Sequence, residues 1–157
     1  MENPAGAPQP GSVLSLEEVT RESLGDVLRL AVAPGQERFV ASNAVSIAQA
    51  SFHPETAWFR AIHADGTPVG FVMLEVDAAK PAYHLWRFMI DRRFQKLGLG
   101  ARALELVMDH VRTRPGGTEL SLSHGTGDGN PGPFYEKLGF AYTGEVDDGE
   151  LVMRRRL

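Results

Sequence analysis

The segment Gln95-Lys96-Leu97-Gly98-Leu99-Gly100 carries the clearest chemistry in the chain. It runs from an apolar stretch ending in Phe88-Met89-Ile90 directly into LGLGARALELVMDHVRT, so it belongs at a strand-to-helix junction. Two glycines spaced by one residue at a helix start let the backbone come close to a ligand. The first N–H groups of a helix have no intrahelical partner and point outward with the helix dipole behind them. Together these make a cradle for an anion such as a pyrophosphate, and Lys96, Arg92 or Arg93 can add charge from the side. The plainer account of the glycines is a tight turn with close helix-to-strand packing. A dinucleotide fingerprint does not fit, because Ala103 stands where its third glycine belongs, and a phosphate loop of the GKS or GKT type is absent.

Other chemistries are restricted by what the chain contains. It has no Cys, which excludes a thiolate nucleophile, a disulfide framework and a Cys-ligated metal, and suits a reducing cytoplasm. The His residues show no H-E-x-x-H or related spacing, so no metal is expected. Ser121, Ser123 and His124 alternate as on a strand without an acid partner or nucleophile elbow, which reads as a polar strand end. A net charge of -4 gives no general attraction to nucleic acid, and Arg154-Arg155-Arg156 is too short for a footprint. A mildly acidic surface instead favours the approach of cations. No apolar stretch approaches the ~20 residues that span a bilayer, and the N-terminus is not a secretion signal.

The elements that must position these residues follow from periodicity. Residues 1–11 (MENPAGAPQPG) read as a flexible leader, and residues 12–157 as one domain with enough apolar content, 43%, for one core. Val13 to Val19 suit a first strand. Thr20 then suits the N-cap of a helix through residue 33, with Leu24, Val27, Leu28 and Ala31 on one face. Residues 42–52 predict a second helix with Val45, Ala48 and Phe52 inward, ended by His53-Pro54. AWFRAIHA, the turn Asp65-Gly66 and TPVGFVMLEV predict a hairpin, and residues 83–90 a central strand covered on both faces. The helix after the glycines buries Leu104, Val107, Met108 and Val111. TELSLSH then forms a strand, Asn130 to Leu138 a short helix, and FAYTGEV with ELVMRRRL a closing hairpin. This order is an α/β fold, a mixed sheet with crossover helices, built from about seven strands and about four helices.

At this point the sequence resembles the GNAT superfamily of N-acetyltransferases, whose acetyl-CoA motif is Arg or Gln, two residues, Gly, one residue, Gly or Ala. Gln95 to Gly100 matches every fixed position, and Asn130 with Phe134-Tyr135-Glu136-Lys137-Leu138-Gly139-Phe140 matches a second family motif downstream. Within the superfamily the chain looks most like bacterial diamine or spermidine acetyltransferases, through LWRFMID, the Gly-rich loop, FYEKLGF and FVASNAVSIAQASF. The resemblance implies a mostly antiparallel twisted sheet with splayed central strands. It implies acetyl-CoA held by Gln95, Lys96, Leu97, Gly98, Leu99, Gly100 and Ala101, with Asn130 and Lys137 as further contacts. The pantetheine arm would lie in the gap against the backbone of Phe88, Met89 and Ile90, with one N–H facing the thioester oxygen. Tyr135 would protonate the departing thiolate, a role its phenol suits at neutral pH.

The chain departs from the pattern at the general base. Some polyamine acetyltransferases carry an acidic residue on the strand before the loop, where this chain has Trp86 and Arg87. Glu75 on the preceding strand is the first candidate base, with His84 and Glu37 behind it. The absent Cys points to direct transfer within a ternary complex. Residues 36–53 would line the acceptor entrance, and Phe39, Phe52, Trp58 and Trp86 suit packing on substrate methylenes. The resulting expectation is acetyl transfer to a small primary amine such as a polyamine, in a cytoplasmic enzyme whose closing strands offer an edge for a homodimer. The alternatives are an antibiotic amine, a protein N-terminus, or a CoA-binding regulatory module without turnover.

Overall fold

The computed structural model describes residues 6–77, 79–80 and 82–157, leaving residues 1–5 of the expected leader outside the described residues. Among the described residues seven strands are formed: β1 (Leu14–Glu17), β2 (Ala57–Ala64), β3 (Thr67–Asp77), β4 (Ala82–Ile90), β5 (Glu119–His124), β6 (Ala141–Asp147) and β7 (Glu150–Arg156). Four helices accompany them: α1 (Leu24–Arg29), α2 (Asn43–Ala50), α3 (Leu99–Arg112) and α4 (Gly132–Lys137). The sheet order is β1-β2-β3-β4-β5-β7-β6. All neighbours are antiparallel except β4 and β5, which are joined in parallel by the crossover through α3.

Two cores cover the sheet. On one face Leu104, Val107, Met108 and Val111 of α3 pack with Ile62, Val72, Leu74, Leu85, Leu122 and Met153. On the other, Val27, Leu30 and Ala50 pack with Ala61, Phe71, Met73 and Met89. Residues 83–90 therefore run as a central strand with apolar contacts on both sides, as their composition predicts.

The first two helices differ from their sequence pattern. Ser23, not Thr20, stands at the N-cap of α1, and the two exchange hydrogen bonds (2.8 and 3.1 Å). The helix stops at Arg29 because Ala31 is held elsewhere: its N–H donates to Asp91 Oδ2 (2.9 Å) and its carbonyl accepts from Arg92 N–H (2.8 Å). Val27 is buried, whereas Leu24 and Leu28 are exposed. In α2 the inward face is Asn43, Ser46 and Ala50, while Val45, Ala48 and Phe52 face solvent. The reason is polar: Asn43 Nδ2 donates to the Val27 carbonyl (2.9 Å), an end carbonyl of α1, and this pairing outweighs apolar spacing.

Asp91 ties these elements together. Only 2% exposed, it accepts from Ala31 N–H, Arg93 N–H and Arg93 Nε. Burial works to raise its pKa, but the hydrogen bonds and the Arg93 charge outweigh it and hold the carboxyl below its ordinary value. A depressed folded pKa contributes stability above the unfolded value of about 4, and that contribution is lost as pH falls through the folded one. Asp91→Asn is therefore expected to cost about 2 kcal/mol at pH 7. Paired denaturant melts should show the gap to the parent closing below about pH 4; a gap independent of pH would remove the charge from this account.

Candidate active site

The parallel pair opens what the rest of the sheet closes. Only His84 with Ser121 and Leu85 with Leu122 are in register between β4 and β5. Beyond them Phe88, Met89 and Ile90 pair with β3 alone, opposite Val72, Phe71 and Gly70. Their other backbone edge faces a cleft of about 540 Å³. Its walls include residues 85–90, Gly98, Leu99, Gly100 and Ala101 of the α3 start, Ser123 and His124 at the end of β5, and Asn130, Phe134 and Tyr135. A β-bulge adds to the opening: Met73 faces Arg87 and Leu74 faces Leu85, so Trp86 is an extra residue on β4. Arg87 reaches Gln49 of α2 (2.9 Å), and the Trp86 ring meets His53 edge-on at 5.8 Å.

The glycine-rich turn forms as a ligand cradle requires. Lys96 and Gly98 take positive φ (65° and 76°), Gly98 as the N-cap of α3. The first intrahelical bond runs from Arg102 N–H to the Gly98 carbonyl (3.4 Å), so the N–H groups of Leu99, Gly100 and Ala101 precede it. A Cβ at Gly98 would meet nothing within 4 Å, which leaves open space beside those donors; at Gly100 it would sit 3.4 Å from the Phe134 ring. Unpaired donors, a helix N-terminus, open space and the neighbouring Lys96 fit a pyrophosphate. Gln95 supports the turn: its Nε2 donates to the Ile90 carbonyl (2.9 Å) and to Gln36 Oε1 (2.9 Å). Leu97 packs against the core instead of lining the cleft, and Lys137 is exposed outside it.

Tyr135 lies at the cleft wall, 8% exposed, its ring edge-on to Phe134 and Phe140 at 5.2 and 5.7 Å. Burial alone pushes its phenol well above the ordinary value, so the proton stays on throughout the neutral range. Asn130 shapes the turn before α4, donating to the Gly127 carbonyl (2.8 Å) and accepting from Gly132 N–H (2.9 Å). The remaining candidates lie apart. Glu75 and Glu37 are exposed and outside the cleft wall; His84, half-buried, also lies outside it and bonds Ser121 Oγ (3.0 Å). Phe39 lines the cleft; Phe52 is 82% exposed, and Trp58 stacks on His110 at 4.2 Å on the α3 side. Sequence reasoning missed Gln36, whose partner Gln95 is 59 residues away with no local signal. It also gave Ser123 and His124 only a polar strand end, although both line the cleft.

A model of the acetyltransferase (GNAT) family matches residues 21–140. The chain belongs to that family. It is thus an acetyl-CoA-dependent N-acetyltransferase. It is 28% identical to the spermine/spermidine N(1)-acetyltransferase of Bacillus subtilis (strain 168) over 153 residues, covering 92% of this chain and 99% of the relative. Among solved structures its fold is similar to an acetyltransferase from Thermus thermophilus (TM-score 0.72, 19% identity, 92% of this chain and 97% of that one). It is also similar to the PaiA N-acetyltransferase of Thermoplasma acidophilum in complex with coenzyme A (TM-score 0.65, 18% identity, 92% and 99%). The gap between β4 and β5, the glycine cradle and Tyr135 thus belong to a GNAT fold. No helix among the described residues is long and apolar enough to cross a membrane.

Proposed function

We propose that this GNAT enzyme transfers acetyl from acetyl-CoA directly to a primary amine of a small molecule, with a polyamine as the acceptor. The observation that carries the reading is the splay of β4 from β5, which sets the free backbone edge of Phe88-Met89-Ile90, the glycine cradle and Tyr135 around one cleft. An extended arm can pair with that edge as an added strand would, and an N–H there can stabilise charge on a thioester oxygen. The N–H groups at Leu99 to Ala101 would hold the pyrophosphate, and the Tyr135 phenol would protonate the leaving sulfur. The polyamine assignment is supported by the Bacillus subtilis relative, whose name gives spermine and spermidine as its substrates.

Free thiol release from acetyl-CoA, followed with spermidine, spermine, putrescine, lysine peptides and aminoglycosides, tests both levels. Release with the polyamines at least about 10-fold faster than with the others, in kcat/KM, is the expected result. Preference for a peptide or an aminoglycoside would replace the acceptor and keep the chemistry. A non-catalytic CoA-binding module is the second reading, motivated by the cleft wall, where Arg87 and Lys96 but no carboxylate appear among the described residues. Binding of acetyl-CoA without turnover of any amine would establish it. Acetyl-CoA at 100 times its Kd is expected to add about 2.7 kcal/mol of stability, read as a rise in melting temperature.

A further inference from the structure

An alkylammonium must lose a proton before its nitrogen can attack a thioester, yet the cleft wall holds no carboxylate among the described residues. One carboxylate is joined to that wall by a hydrogen bond. Ser123 lines the cleft where β5 leaves β4, and its hydroxyl donates to Glu150 Oε1 at 3.0 Å. Ser123 pairs with Val152 of β7, and Glu150, two residues earlier on that strand, projects to the same face of the sheet. Glu150 is half-buried at the start of β7, so part of its hydration is already lost. Glu75 is placed differently: it lies on β3, and β4 stands between it and the gap.

We infer that Glu150 takes the proton of the acceptor amine through the hydroxyl of Ser123. The inference rests on the N-acetyltransferase reading above, whichever amine is the acceptor. Ser123 is the group that touches the amine, and Glu150 acts through it. As an ammonium N–H bond breaks, the proton passes to Ser123 Oγ while the serine's own proton passes to Glu150 Oε1, leaving the hydroxyl unchanged. The freed nitrogen lone pair forms the bond to the acetyl carbon, the carbon–sulfur bond breaks, and the sulfur takes the Tyr135 proton. The nitrogen's second proton restores Tyr135, and Glu150 releases its own to solvent.

The surroundings set the charge that Glu150 meets. Arg87, on the cleft wall of β4, feels the Glu150 charge and has a buried Nε without a partner among the described residues. His84, also on β4, feels Glu75, Asp147 and Glu150 together, and Asp147 lies directly across the hairpin from Glu150. Arg154, further along the same face of β7, is engaged by Glu119 and Glu145.

The test is kcat/KM against pH for the wild type, Glu150→Gln, Ser123→Ala, Ser123→Thr and Glu75→Gln, with acetyl-CoA affinity measured alongside. Gln retains an acceptor for the Ser123 hydroxyl and removes only the charge. Glu150→Gln and Ser123→Ala are expected to lose about 100-fold near pH 7 and to recover as pH approaches the amine's own pKa of about 10. Ser123→Thr, which keeps the hydroxyl, should keep the pH profile of the wild type where Ser123→Ala loses it; Glu75→Gln should stay within about 3-fold of the wild type, and acetyl-CoA affinity should not change. An unchanged Glu150→Gln enzyme, or a loss of the same size at every pH, overturns the inference. So does a pH-dependent loss confined to Glu75→Gln. A wild type silent with every amine overturns the acetyl-transfer reading and this inference together, whereas turnover of a different amine overturns only the polyamine assignment, since the same profile then applies to that amine.

Discussion

Tyr135→Phe is expected to lower kcat for acetyl transfer by about 100-fold or more while leaving the affinity for acetyl-CoA and the melting temperature close to those of the parent. The separation of effects follows from how the ring is held. Its edges pack on Phe134 and Phe140, and Phe keeps those contacts and the same volume. Its hydroxyl is raised in pKa by burial alone, with no hydrogen bond contributing, so the hydroxyl does not anchor the fold. Deleting a buried hydroxyl without an anchoring bond is close to neutral for stability. The same group is the one proton donor proposed for the leaving sulfur, and general acid catalysis is worth about 10²- to 10⁴-fold. Because its pKa lies above the ordinary tyrosine value, no alkaline loss of activity below about pH 10 should come from Tyr135. Rates and melts measured on the same two preparations decide the matter. An unchanged kcat would leave the enzyme its chemistry and remove Tyr135 as the acid.

Gly70→Ala is expected to damage both the fold and the cleft. Gly70 sits on β3 opposite Ile90, and a Cβ there would collide with the Met89 carbonyl oxygen and approach Ile90 Cδ1 at 2.9 Å and Ile62 Cδ1 at 3.2 Å. The first obstacle is backbone in the sheet and cannot rotate away. Relief requires moving the end of β4, which is the strand edge that borders the cleft. Overpacking of this kind costs about 3 kcal/mol, or about 6–12 °C of melting temperature at this chain length. The KM for acetyl-CoA should rise as well, since Met89 and Ile90 shift with the strand. Gly100→Ala is the control: its Cβ would meet side chains alone, the Phe134 ring at 3.4 Å and Ile90 Cγ1 at 3.6 Å, and should change the melting temperature by no more than about 2 °C. A Gly70→Ala protein melting within about 2 °C of the parent would contradict the close approach of β3 and β4.

Most of what depends on neighbours a few residues apart was legible in the amino-acid order alone, the N-cap of α1 excepted. Alternation gave β2, β3 and the closing hairpin, and apolar spacing gave α3 with Leu104, Val107, Met108 and Val111 inward. Two glycines placed the cradle at the helix start, Gly98 taking positive φ there and Gly100 coming close to the Phe134 ring. FYEKLGF, a short run of family character, marked the cleft tyrosine. Folding in three dimensions settled the places where long-range partners compete with local pattern. Asn43, buried and bonded to the Val27 carbonyl of α1, turned α2 so that Val45 and Phe52 face water. Asp91 cut α1 short by capturing Ala31 from 60 residues away. The cleft itself depends on β4 and β5 pairing at only two positions before diverging, and Glu150 reaches its wall only because β7 lies beside β5. No periodicity carries these facts, because each is a contact between segments whose separation in the chain far exceeds one helical turn or one strand repeat.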